Sequence, residues 1–189
     1  RLEYRKTPWD TRALGFPTNE ILSINYSDSL HINQLLRQFS EISQDAGIRF
    51  SYCRINSSDI ALKNALQKSG YYYAETSALI SKHDIHREDF GAIFRNDLVL
   101  SIPQTDIEFQ QLRLIAQNAF QYSRFHEDPN IELELAKKRY YHWIDDLRAQ
   151  KCSFLTYSTD GVIHAFFAYT LNNNSATLLL GGSDTGKGF

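Results

Sequence analysis

The stretch Gly181-Gly182-Ser183-Asp184-Thr185-Gly186-Lys187-Gly188 holds the densest run of positions that could do chemistry in this chain. Glycines at close spacing let successive backbone N–H groups converge on one anion, above all a phosphate. Two phosphate cradles compete for the segment. Gly181, Gly186 and Lys187 meet the magnesium-nucleotide frame G-x-x-x-x-G-K, but that frame next needs Ser or Thr for the metal, and Gly188 stands there. Such a loop also follows a buried parallel strand with much of a sheet still to come. Here the preceding strand reads as the last of an antiparallel meander. The second cradle spans Ser183 to Gly188, with Gly186 and Gly188 two apart, and would hold a pyrophosphate where a helix begins. A plain turn is the bland alternative.

A second chemical run is Tyr122-Ser123-Arg124-Phe125-His126. It falls between two helical patterns, in a connection able to face a ligand. Arginine can fork onto a nucleotide diphosphate, and an aromatic ring can stack on a sugar or base. His126 beside Glu127 and Asp128 could serve as a base or metal ligand, although such a run also suits the polar start of a helix. His83 and His86 lack the third well-placed ligand a zinc site needs. No metal is expected.

These residues need elements to carry them. Glu20–Tyr26 reads as a strand, Leu35, Leu36, Phe39, Ile42 and Ala46 as a helix face, and Ile48–Ile55 as an alternating strand. Ser57 or Ser58 would cap a second helix bearing Leu62, Ala65 and Leu66. Tyr71–Ile80, aromatic and β-branched, reads as a third strand. Residues 81–96 are charged and aperiodic. A strand from Leu98 to Ile102 follows, then a capping-box helix opened by Thr105 and Glu108, with Leu112, Ile115, Ala116, Ala119 and Phe120 on its core face. Asp128-Pro129 would open the next helix, with Ala136, Tyr140, Trp143, Ile144 and Leu147 buried. Three strands then run antiparallel: 152–157, 162–170 and 176–180, the last ending at Gly181-Gly182. The expected organisation is a βαβαβ domain over 1–85, a linker over 86–96, and a mixed-sheet α/β domain over 97–189.

Composition narrows the function classes. The 189 residues are 42% hydrophobic and 22% charged, enough apolar content for a core. A net charge of −2 gives no general pull toward nucleic acid, and no apolar run reaches bilayer length. Cys53 and Cys152 form no C-x-x-C pair, which points to a reducing cytosol.

The order strand, two helices, three antiparallel strands, glycine loop resembles the GNAT superfamily of N-acetyltransferases, whose loop has the form Q/R-x-x-G-x-G/A. Ser183 to Gly188 is similar to it, with Ser183 in place of Gln or Arg. Two further stretches resemble the branch that acetylates dTDP-4-amino-4,6-dideoxygalactose (dTDP-fucosamine). Trp9-Asp10-Thr11-Arg12-Ala13-Leu14-Gly15-Phe16 looks like its W-[DE]-[ST]-x-[FL]-[FL]-G-[FV] opening. Ala119-Phe120-Gln121-Tyr122-Ser123-Arg124-Phe125 with Tyr140-Tyr141-His142-Trp143-Ile144 looks like its A-F-x-x-S-R-F … [FY]-Y-x-x-W-[IV] pattern.

The resemblance implies acetyl-CoA as co-substrate, bound by the main chain of Leu178, Leu179 and Leu180 and by Ser183, Asp184, Thr185, Gly186, Lys187 and Gly188. It implies an acceptor, a nucleotide-linked amino sugar, at Tyr122, Ser123, Arg124 and His126. The family's general acid commonly lies beyond the loop, so no catalytic residue is named and a C-terminal part of the core is expected past Phe189. Other small amines or peptides as acceptors, an idle binding module, and a homodimer stay open at this point.

Overall fold

A computed structural model of the chain describes residues 1–86 and 99–184. It is a mixed α/β protein that divides into two compact units, Arg1–Ala74 and Glu75–Phe189.

The first unit begins with β1 (Leu2–Lys6) and α1 (Pro8–Leu14), ahead of the first element expected from the sequence. Proline at the start of α1 costs no helical hydrogen bond, and Gly15 ends the helix at φ 78°. Then follow β2 (Thr18–Ile24), α2 (Ser29–Asp45), β3 (Phe50–Cys53) and α3 (Ile60–Lys68). The sheet order is β1-β2-β3, with β1 antiparallel and β3 parallel to β2. The parallel pair makes α2 a crossover helix. Ile32, Leu36 and Phe39 of α2 pack on Ile21 and on Leu62, Ala65 and Leu66 of α3. Asp59 caps α3 in place of either serine, because its carboxylate accepts from the Leu62 amide and from the Tyr26 hydroxyl.

The expected third strand over 71–80 is absent; those residues lie in no helix or strand. Tyr71 packs against the core, but Leu79 and Ile80 are 98% and 89% exposed. Strand propensity expresses fit to a half-buried pleat, and these side chains have no pleat to join. The first unit is therefore βαβαβα. Its boundary falls ahead of residue 85, between Ala74 and Glu75. The expected linker lies almost wholly outside the described residues.

The second unit contains β4 (Leu100–Ser101), α4 (Asp106–Ala119), α5 (Leu133–Ala149), β5 (Ser153–Thr159), β6 (Val162–Asn172) and β7 (Ser175–Ser183). The order β4-β5-β6-β7 is antiparallel throughout. The Thr105/Glu108 capping box opens α4. Asp160 and Gly161, both at positive φ, join β5 to β6 through the two-residue hairpin their twist favours.

Two sequence expectations shift here. Asp128 does not cap α5; its side chain accepts from the Asn130 amide in a tight turn, and the helix starts at Leu133. β7 does not stop at Leu180 but continues through both glycines to Ser183, because each still has a partner on β6.

The helices cover one face of the sheet. Phe109, Leu112, Ile115 and Ala116 of α4 and Tyr140, Ile144 and Leu147 of α5 enclose Phe154, Ile163, Phe166, Ala168 and Leu180. Two bulges interrupt the ladders. One leaves His164 of β6 unpaired between Tyr157 and Ser158, and the other leaves Leu179 of β7 as the extra residue opposite Ala168 and Tyr169.

Candidate functional site

The end of β7 owes its geometry to ladder parity. The Asp184 amide donates to the His164 carbonyl at 2.8 Å. Counting back along the register, Gly182 opposite Phe166 and Leu180 opposite Ala168 also turn their main-chain groups toward β6. Gly181 and Ser183 turn theirs outward. Among the described residues no strand lies beyond β7, so these groups line an open sheet edge. An open edge is a template for any extended chain that carries amides of its own.

The same strand end is held close to α4. A Cβ at Gly182 would stand 3.3 Å from Ala119 Cβ and from Phe166 Cε1, so those neighbours would have to yield by a few tenths of an ångström to admit a side chain. Beside it opens a cleft of about 230 Å³ lined by Gln111, Leu114, Asn118, Ile163, Ser183 and Asp184. Gln111 fixes the wall: its Oε1 accepts from the Ile163 amide at 2.7 Å, and its Nε2 donates to the Gly161 carbonyl.

Of the three leucines expected to offer amides, Leu178 is 69% exposed and Leu179 sits at the bulge. Leu180 is 7% exposed, packs under the helices and points its main chain inward. Ser183 and Asp184 reach the cleft. Thr185, Gly186, Lys187 and Gly188 lie outside the described residues.

The second group of expected residues forms a tight turn after α4. Ser123 organises it. Its Oγ accepts from the Phe125 amide, its carbonyl accepts from the His126 and Glu127 amides at 3.0 Å, and its Oγ lies 2.8 Å from His126 Nδ1. The His126 ring rests against Tyr140 at 5.5 Å between centroids, and Phe120 stacks on that same phenol ring. His126 Nε2 is enclosed without a hydrogen-bond partner. Burial, with a smaller push from Lys137, holds the imidazole below its ordinary pKa. Burial also raises the Tyr140 phenol, partly offset by a hydrogen bond from Ser123. Phe125 is buried and anchors the turn, while Tyr122 is exposed.

Arg124 is not an open fork. Its guanidinium pairs with Glu75 at 3.3 Å and lies over Phe125 at 4.7 Å, and its backbone N–H donates to the same carboxylate. Sequence reasoning missed Glu75, because nothing local links two residues 49 positions apart.

Gly182 faces Ala119, the last residue of α4, which a Cβ added there would approach to 3.3 Å, so the 120–127 turn departs from beside the end of β7. The structure thus brings the start of the 120–127 turn and the end of β7 to one end of α4. Among the described residues, no group of three or more His, Cys, Asp or Glu could hold a metal ion, and no helix is long and apolar enough to cross a membrane. Compared with protein-family models, curated proteins and solved structures, the chain matches none.

Proposed function

We propose that this chain belongs to a GNAT-type N-acetyltransferase that moves an acetyl group from acetyl-CoA to the amine of an amino-sugar nucleotide in the cytosol. The observation that carries the reading is the outward main chain of Gly181 and Ser183 at the open edge of β7, immediately before Gly186 and Gly188. An extended pantetheine arm carries two amides and can pair with such an edge as a partial strand. The glycines that follow would receive the pyrophosphate. The 120–127 turn, at the same end of α4, would present Tyr122, Ser123, Arg124 and His126 to the acceptor.

The chemistry asks little covalent work of the protein. The amine must be neutral to attack, so its proton has to be removed. An edge N–H aimed at the thioester carbonyl would stabilise the tetrahedral oxyanion. Alignment of amine and thioester supplies much of the remaining rate.

Ladder parity provides the test. Ser183→Pro removes an outward N–H and no ladder bond, whereas Gly182→Pro removes an inward one. Acetyl-CoA binding to the full chain, read by calorimetry, should weaken at least about tenfold in S183P while its melting temperature stays close to that of the parent. G182P should instead lose stability. Undiminished acetyl-CoA binding in a folded S183P protein would remove the basis for this assignment.

A further inference from the structure

Glu75 binds Arg124 through both of its carboxylate oxygens. One carboxylate oxygen takes the backbone N–H of Arg124 at 3.2 Å, and the other takes Nη1 of the same residue at 3.3 Å. A single residue thus offers an anion a main-chain donor and a guanidinium donor side by side, an arrangement that also suits phosphate oxygens.

The fit to Glu75 is loose. Charge-assisted contacts usually fall near 2.7–2.9 Å; elsewhere in this unit Arg113–Asp145 and Arg148–Asp106 close to 2.7 Å, while the buried Arg139–Asp146 pair stands at 3.7 Å. The donor side is built and the acceptor side is not. Arg124 has a side chain only 17% exposed, spread over the buried Phe125 in a turn that Ser123 ties together. Glu75 is 34% exposed and lies outside any helix or strand, so its departure breaks no backbone ladder.

We infer that Glu75 is a built-in latch, its carboxylate holding on Arg124 the place that a phosphate group of the acceptor takes when it binds. A phosphate brings more charge than a carboxylate and a tetrahedral set of oxygens to the same two donors. The inference rests on reading the 120–127 turn as the acceptor site, but it needs nothing of acetyl transfer. It makes the phosphate moiety the part of the acceptor that opens the site, and it makes the apparent affinity depend on the fraction of molecules with Glu75 released.

Calorimetric titration of the full chain with inorganic pyrophosphate, phosphate and thymidine diphosphate tests this in the parent, Glu75→Gln and Arg124→Gln proteins. Glu75→Gln should bind pyrophosphate about five- to tenfold more tightly than the parent, and Arg124→Gln should not bind it measurably. Equal affinity for pyrophosphate and thymidine diphosphate identifies the anion alone as the ligand; tighter binding of the nucleotide identifies a nucleoside diphosphate.

A Glu75→Gln protein that binds no better than the parent, or worse, would show that Glu75 only braces the turn. In the parent protein, pyrophosphate should also shift the Arg124 amide and Nε–H NMR signals, a readout that survives if either variant fails to fold. Unmoved signals overturn the latch. Acetyl-CoA is titrated into the same samples: failure there, with the pyrophosphate pattern intact, would remove the proposed activity and leave the latch standing.

Discussion

The two units arrange their buried polar residues differently. In Arg1–Ala74, Thr7, Asp10, Thr18 and Asn19 are at most 1% exposed. The Thr18 hydroxyl meets those of Thr7 at 2.6 Å and Thr11 at 3.0 Å, Tyr52 donates to Asp10, and Asn19 donates to Ser43. In the second unit the buried polar residues Asp128, Arg139, Thr156 and His164 are spread over separate elements, and the residues with chemical promise stand at its perimeter. Ser183 is half-buried at a strand end, Arg124 is held in a turn, and Tyr122 and Asp184 are exposed. The Trp9-Asp10-Thr11 motif, a prominent signal in the first half of the sequence, thus has a structural explanation. Asp10 accepts from Tyr52 of β3, and Thr11 meets Thr18 of β2, so both tie α1 to the sheet. Deep burial of a polar group points to architecture when its partners are internal; a site also needs an opening.

The sharpest way to test that contrast is to remove one support from each unit. Phe166→Ala in the second core should cost about 3–5 kcal/mol, since Phe166 is almost wholly enclosed and its loss leaves a cavity. Urea denaturation measures it, and a loss below about 1 kcal/mol would mean the helices do not pack on this face. Thr18→Val keeps the volume and deletes the hydroxyl shared by Thr7 and Thr11, leaving the buried Thr7 hydroxyl without that partner while Thr11 keeps the Thr18 amide. The expected loss is about 1–3 kcal/mol, confined to the first unit's transition. A neutral result would dissolve the comparison, because the polar set would then be incidental.

The smallest expected effect lies at the turn. The folded pKa of His126 is depressed from its ordinary 6.5, so its contribution to stability is fully present above that value and is lost as pH falls through the folded pKa. His126→Gln should flatten the stability profile below pH 6.5, and the His126 ring signal in NMR should titrate below 6.5. A midpoint at or above 6.5 would mean the ring is solvated and Ser123 does not hold it.

Much of the second unit was readable locally. The spacing of Leu112, Ile115 and Ala116, the Thr105/Glu108 box and the Asp160-Gly161 hairpin each record a backbone preference within a few residues. What misled was propensity without a partner. Tyr71–Ile80 has the composition of a strand and forms none, while β1 and α1 form ahead of the first element expected from the sequence. Asp128-Pro129 carries a helix-start signal, but Asp128 spends its side chain on a turn.

Element types and their order in Glu75–Phe189 follow from periodicity, caps and turns, which act over one to four residues and are written in the chain. Which amides of β7 face outward does not. That depends on the register between β6 and β7 and on the single-residue bulge at Leu179, since one extra residue reverses the direction of every group beyond it. The pairing of Arg124 with Glu75 likewise required the folded chain, because only tertiary packing brings together charges so far apart in sequence.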